Sequence, residues 1–299
     1  MTEWVWDERI DYLRRTRKLY YNDDYLQFLV ERVWRIDRPV KLIDYGCGYG
    51  YLGLKLLGML PEGSSYTGVD KGEKLIAEAR ELFAKLPYRT AFICADIRKL
   101  NAEPDYDIAL CHAVLLHMDD PKEMLRAMIG SVKPGGMVIC FEPHWISNMA
   151  NQWMEGVETS DVVRLGILQK LFELDGRRTG RDGNIGEKVP AYMSELGLTG
   201  VGCRVSDRVN FVNPRERDDD LYQALRAEGF DRTLADKAVF VDSLVARGLT
   251  REEAERQYEA EARFVAAFGE RGRESSQAYA PTMKISYGTV RRAGSADMA

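Results

Sequence analysis

From residue 40 to residue 145 the chain alternates short apolar runs with longer segments whose apolar positions recur at helical spacing. "VKLIDYG" ends in an acid and a glycine turn, which predicts a strand, and "YLGLKLLGML" behind it predicts a helix stopped by Pro61 and Gly63. The unit recurs. "SYTGVD" predicts a second strand, "GEKLIAEARELFAKL" its helix, "TAFICAD" a third strand, "YDIALCHAV" a fourth and "GGMVICFEP" a fifth. Between the last two, "DDPKEMLRAMIGSV" opens a helix with Asp120 as N-cap, Pro121 at the first position and Glu123 as the partner in a capping box. Such alternation implies a parallel sheet with helices on both faces and a ligand crevice beyond the carboxyl ends of the strands.

The flanks read differently. Ile10, Leu13 and Tyr20, then Tyr25, Phe28, Leu29, Val33 and Ile36, sit at helical spacing; "YYNDD" breaks the two stretches, with Asn22 or Asp23 as N-cap of the second. After residue 145 the alternation loosens. "SDVVRLGILQKLFEL" and "PAYMSELGL" predict helices around the loop "DGRRTGRDGNIG", while "VGCRVSDRVNFV" and "MKISYGTV" each predict one strand. Residues 215–273 between those strands are helical in pattern, and Thr250 with Glu253 forms a second capping box. The expected organisation is an N-terminal helical cover (1–38), a core (39–214), a helical lid inserted between the last two strands (215–276), a final strand (277–292) and a tail (293–299).

Composition narrows the function. A chain of 299 residues that is 45% hydrophobic can bury one large core. Its 42 Lys and Arg against 47 Asp and Glu leave a net charge of −5, which argues against binding nucleic acid through its phosphates. No apolar run approaches the roughly 20 residues of a membrane span, and "MTEWVWDERIDYLRR" lacks the order of a signal peptide, so a cytoplasmic protein is expected. The five cysteines are odd in number and contain no C-x-x-C pair, which suggests neither a disulfide framework nor a metal centre.

The turn after the first strand, "LIDYGCGYGYLG", contains the G-x-G-x-x-G pattern of dinucleotide sites, but D-x-G-x-G-x-G, from Asp44 through Gly46, Gly48 and Gly50, describes it better. Asp44 can accept from a ligand's ammonium group or tether the loop, whereas a pyrophosphate would be repelled by it. Asp70 ends the second strand, where a carboxylate can accept from both hydroxyls of a ribose, a feature shared with NAD enzymes. In "CADI" Asp96 can accept from an adenine amine while Ile97 packs on the purine. With "LIDYGCGYG", "YTGVD", "CADI" and "YDIALCHAVLLHMDDP" in this order, the chain resembles the class I S-adenosylmethionine-dependent methyltransferases over residues 40 to 145. Longer strings, "LYYNDDYLQFLV", "FEPHWISNMA" and "DGNIGEKVP", resemble a bacterial group of small-molecule methyltransferases.

That resemblance implies an α/β, Rossmann-like, doubly wound sheet of seven strands, mostly parallel with one antiparallel edge strand, and S-adenosyl-L-methionine as cofactor. Gly46, Gly48 and Gly50 would let the backbone approach its methionine part, Asp70 with neighbouring Lys71 would bind the ribose, Asp96 and Ile97 the adenine, and Cys111 and His112 would line the other side. Tyr20 and Tyr21 would fold over the sulfonium, which an aromatic face stabilises by about 0.5–2 kcal/mol.

The three histidines, His112, His117 and His144, all follow strands four or five and so lie at the ligand end of the sheet. His144 is the first candidate for general base or acceptor anchor, with Glu142 its nearest rival and His117 a third candidate; each also has a purely structural reading. Trp145 and Trp153 are candidates for a wall facing an aromatic or lipophilic small-molecule acceptor, and Arg177, Arg178 and Arg181 for binding an anionic one. An RNA or protein substrate is disfavoured because "CHAV" stands where an N-P-P-Y-like string would be expected. A cofactor-binding sensor and an NAD enzyme remain as alternatives, and the helical insert or the N-terminal arm would suit self-association.

Overall fold

The computed structural model describes residues 6–100 and 102–291; the expected tail, 293–299, lies outside them. Ten strands are present: β1 (Lys41–Tyr45), β2 (Ser65–Asp70), β3 (Arg89–Cys94), β4 (Tyr106–His112), β5 (Val132–Pro143), β6 (Gln152–Met154), β7 (Thr199–Val205), β8 (Asn210–Val212), β9 (Gln277–Tyr279) and β10 (Met283–Thr289). Seven of them form one sheet in the order β3-β2-β1-β4-β5-β10-β7. The first five are parallel; β10 runs antiparallel to β5, and β7 closes that edge antiparallel to β10.

The order places the ligand crevice. The chain winds outward from β1 to β2 and β3 and then returns to β4 on the other side of β1, so the crossovers diverge between the carboxyl ends of β1 and β4. Strand parity decides what faces that crevice. Leu42, Ile108, Leu110, Ile139 and Phe141 pack on one face with the N-terminal residues Leu19, Tyr21, Leu26 and Trp34. Ile43, Tyr45, Ala109, Cys111, Val138 and Cys140 pack on the other with Met124, Leu125, Val189 and Met193. Side chains alternate across a strand, so Asp44 and His112 share the first face, and Cys111 and Glu142 the second.

The helix signals are made as local chemistry. Asp120 accepts from the Glu123 N–H at 3.0 Å, with Pro121 opening the helix Pro121–Ser131. Thr250 and Glu253 form the full reciprocal box, Glu253 N–H to Thr250 Oγ1 at 3.2 Å and Thr250 N–H to Glu253 Oε2 at 2.8 Å. Such caps contribute on the order of 1 kcal/mol each. Asn22 precedes the helix Asp23–Phe28, but its side chain reaches Asp207 at 2.7 Å instead of capping.

"VGCRVSDRVNFV" departs from the single strand expected. β7 ends at Val205 and β8 leaves the main sheet to pair with β9, which also pairs with β6, giving a second sheet in the order β6-β9-β8. The insert between β8 and β9 contains the helices Asp219–Glu228, Lys237–Ala246 and Arg251–Arg271. Ala224, Leu225, Phe264 and Phe268 join the core that contains the N-terminal helices.

Candidate active site

A cavity of about 220 Å³ opens at the crevice between β1 and β4. From the central domain it is lined by Asp44, Gly46, Gly48, Asp70, Lys71, Asp96, Ile97, His112 and His117, among others. The turn is held by backbone geometry. Gly46 has φ of +72°, and a Cβ there would lie 2.6 Å from Cγ2 of Val114, so a side chain would strain the backbone and close the gap between β1 and β4. Gly46 and Cys47 donate their N–H groups to the Val69 carbonyl at 2.8 and 3.0 Å, fixing the turn against β2.

Asp44 is fully buried beneath this turn. Tyr66 Oη donates to its Oδ2 at 2.6 Å, while Oδ1 has no hydrogen-bond partner among the described residues. Burial pushes its carboxyl pKa up to about 8, with the Tyr66 hydroxyl and, more weakly, Arg17 pulling the other way. An unmade hydrogen bond on a buried carboxyl oxygen is costly, and Oδ1 is left able to accept from a bound donor. Asp70 accepts from Gly48 N–H at 2.9 Å on one oxygen and from Gly72 N–H at 2.8 Å on the other, so one oxygen is held to the glycine turn and the other to the segment after β2, each with a lone pair to spare. Burial raises its pKa and those two N–H groups counter the rise. Asp96 is closed on Arg98, Nη2 to Oδ2 at 2.7 Å, which holds its pKa down to about 2, and Ile97 beside it is buried.

Of the three histidines, two face the cavity. His112 lies 3.0 Å from the Tyr21 hydroxyl, and burial holds its pKa well below the ordinary value. His117 packs edge-on against Trp6 with ring centroids 5.6 Å apart. Burial, followed by the charges of Arg181, Arg17 and Lys71, pushes its pKa down to about 4, so the ring is neutral at pH 7.

His144 is elsewhere. It caps the helix Trp145–Ala150: Nδ1 accepts from Ser147 N–H at 3.1 Å and lies 2.5 Å from Ser147 Oγ, while Nε2 faces Glu187 at 3.2 Å. Both nitrogens are engaged away from the cavity, which corrects the expectation that His144 is the base. Glu142 is corrected too. Its carboxylate points to the opposite face of the sheet and accepts from the N–H groups of Val114, Leu115 and Leu116 at 2.9, 2.8 and 3.3 Å, clamping the loop that leads to His117. Burial still raises its pKa to about 7. Cys111 lies on that same face, its thiol turned to Glu142 at 3.6 Å, and does not line the cavity.

Neither expected tyrosine lines the cavity. Tyr20 donates to Glu228 Oε1 at 3.0 Å inside the core, and Tyr21 stands behind His112. Their place is taken by Trp6, Leu13, Arg17, Tyr49 and Tyr51, none of which the sequence singled out. Arg17 begins the 3-10 turn Arg17–Leu19, anchored where Tyr51 Oη donates to its carbonyl at 3.1 Å, and its guanidinium makes no hydrogen bond or ion pair among the described residues. Trp145 packs in the core and Trp153 is exposed on β6. Arg177 and Arg178, expected in a loop, lie in the last turn of the helix Leu165–Thr179, and of the three arginines Arg181 alone lines the cavity; no lining residue comes from the insert expected to serve as a lid.

Residues 36–176 match the model of a family described as a methyltransferase domain. Over 102 residues the chain is 36% identical to a ubiquinone biosynthesis O-methyltransferase of Stutzerimonas stutzeri (strain A1501), a match covering 33% of this chain and 42% of that protein. A protein of the same description from Marinobacter nauticus (strain ATCC 700491 / DSM 11845 / VT8) is 33% identical over 115 residues, covering 37% of this chain and 46% of its own length. The chain thus spans under half the length of these curated relatives. The crystal structure of the YcgJ protein of Bacillus subtilis superposes with a TM-score of 0.50 at 12% identity, over 90% of this chain and 100% of that one, a likeness of fold.

Proposed function

We propose that the chain, whose residues 36–176 match the model of a methyltransferase domain, transfers a methyl group from S-adenosyl-L-methionine to an oxygen, nitrogen or carbon atom of a small-molecule acceptor. The observation that carries the reading is the unpartnered Oδ1 of buried Asp44, set beneath the glycine turn with the unpaired Arg17 guanidinium in the same cavity. An α-amino-acid head bears an ammonium and a carboxylate on one carbon. Asp44 would take the first and Arg17 the second. Asp70 would accept from the ribose hydroxyls on its remaining lone pairs, and Ile97 would pack on the adenine whose amine Asp96 accepts.

Bound there, the cofactor would supply an electrophilic methyl carbon to the acceptor's lone pair, the electrons of the S–C bond remaining on sulfur in S-adenosyl-L-homocysteine. The chain supplies position. The N-terminal residues Trp6, Leu13 and Arg17 wall the cavity and keep water from the reacting atoms. His117, which lines the cavity, would accept a hydrogen bond from the acceptor's O–H or N–H, orienting the lone pair, and would pass the proton released on methylation to water. The Glu142 clamp fixes the loop that carries His117.

Calorimetric titration with S-adenosylmethionine, S-adenosylhomocysteine and NAD, each alone, tests the reading. The first two should bind and NAD should not, and Asp70→Ala should weaken binding by about tenfold or more as charge-assisted bonds are lost. Binding of NAD alone, or an unchanged isotherm in Asp70→Ala, would overturn it.

A further inference from the structure

Four cationic side chains line the cavity: Arg17, Lys71, Arg98 and Arg181. Arg98 is folded onto Asp96, and Arg17 bears on the Asp44 carboxyl at the end where an amino-acid head would sit. Arg181 stands apart from both. It lines the cavity together with His117 and Asp119, and Gly180 beside it lies close against the Asp119 carbonyl.

The loop that carries Arg181 leaves this one guanidinium uncommitted. Arg177 donates to the Glu173 carbonyl at 3.3 Å and Arg178 to Asp175 at 2.7 Å, while the nearest acid in sequence, Asp182, is paired with Lys188 at 2.5 Å. The Arg181 guanidinium makes no hydrogen bond or ion pair among the described residues. Its backbone, by contrast, is held firmly. The helix Leu165–Thr179 ends at Gly180 with φ of +74°, where a Cβ would lie 2.6 Å from the Asp119 carbonyl oxygen, so the loop presses on the segment just after His117. Thr179 Oγ1 then accepts from Arg181 N–H at 3.2 Å. A fixed backbone beneath an unpaired cation, on the His117 wall, is the arrangement of a receptor for an anion.

We propose that Arg181 binds a carboxylate or phosphate group of the acceptor, so that the protein methylates an anionic small molecule held with its reacting atom beside His117. The inference rests on the methyltransferase reading above. Two anions meet in such a complex, the cofactor's own carboxylate and the acceptor's, and the cavity offers one unpaired guanidinium for each. A guanidinium presents a planar fork that matches either anion through two parallel N–H···O bonds, so it fixes orientation as well as charge. Arg181 is exposed at the rim, and its role is therefore to orient an acceptor that enters still partly hydrated.

The test uses the full chain saturated with S-adenosylhomocysteine and three probes: inorganic phosphate, benzoate, and benzamide as the neutral counterpart of benzoate. Phosphate or benzoate should bind, and benzamide should bind about tenfold more weakly than benzoate if the carboxylate is the recognised group. Arg181→Gln should lower the affinity for the bound anion by about tenfold with S-adenosylhomocysteine affinity unchanged, which also shows the variant to be folded. Arg178→Gln, in the last turn of the preceding helix, should leave anion binding as it was. Anion binding that survives in Arg181→Gln, or no anion binding to a chain that does hold S-adenosylhomocysteine, overturns the inference alone. Failure to bind S-adenosylhomocysteine overturns the methyltransferase reading, and this one with it.

Discussion

If Asp44 pairs with the cofactor's ammonium as proposed, the pairing can be counted in protons. With its carboxyl pKa at about 8, roughly nine-tenths of the molecules carry the proton at pH 7. Setting an ammonium on the unpartnered Oδ1 favours the ionised form and returns the carboxyl toward the ordinary range. Each bound S-adenosylhomocysteine should then expel about 0.9 of a proton at pH 7, and affinity should fall about tenfold per pH unit between pH 7 and pH 5. Calorimetry at pH 7 in bis-Tris and in Tris, two cationic buffers whose ionisation enthalpies differ, measures the proton count from the difference in apparent heat. The Asp44→Asn variant should expel close to none, which separates Asp44 from the buried acids Glu142 and Glu228. A wild-type count below about 0.2, or the same count in both proteins, would refute the pairing of Asp44 with the ammonium.

His144→Ala should lose about 1 kcal/mol of stability in urea unfolding, the value of a helix N-cap, with S-adenosylhomocysteine affinity unchanged; lost turnover at unchanged stability would return His144 to the chemistry. Glu228 joins Tyr20 and Tyr279 inside the core with Oε2 unpartnered, and burial raises its pKa to about 7 from an ordinary 4.5. A folded-state pKa above the unfolded one means that the native state binds the extra proton. Its cost to stability is therefore absent below pH 4.5, grows as the pH rises, and is complete above pH 7. The Glu228→Gln variant should gain on the wild type by about 3 kcal/mol between pH 4.5 and pH 8 in urea unfolding, and a pH-independent difference would contradict this burial.

The fold was legible where a signal is local. Short apolar runs ending in acids and glycines marked β1 to β5, and the turn chemistry at Asp120 and Thr250 marked two helix starts. Asp44, Asp70, Ile97, His112 and His117 were legible because a strand's carboxyl end in such a sheet is where a ligand sits. Position at a strand end does not by itself choose a face. Counting in twos along β4 and β5 would have put Cys111 and Glu142 with Ala109, Val138 and Cys140, on the side away from Asp44. His144 escaped because an imidazole is an unusual N-cap and its partner, Ser147, is a turn away. Arg17, Trp6 and the pairing of β8 with β9 were not legible, since each depends on where a distant segment docks rather than on its own neighbours.

The cavity's walls have two origins. Its floor and far side, from Asp44 to Asp119, lie wholly within the stretch that matches the family model, whereas Trp6, Leu13, Arg17 and Arg181 stand outside it, one group before and one residue after. The two parts answer to different demands. A change in the inner set disturbs every reaction the protein can run, because all of them pass through the same donor. On the proposed reading, Arg17 belongs with the inner set through the cofactor's carboxylate, while a change at Arg181 would alter which acceptor is admitted. A new specificity could then arise at a residue outside the matched stretch while the sheet's own contribution stays as it is.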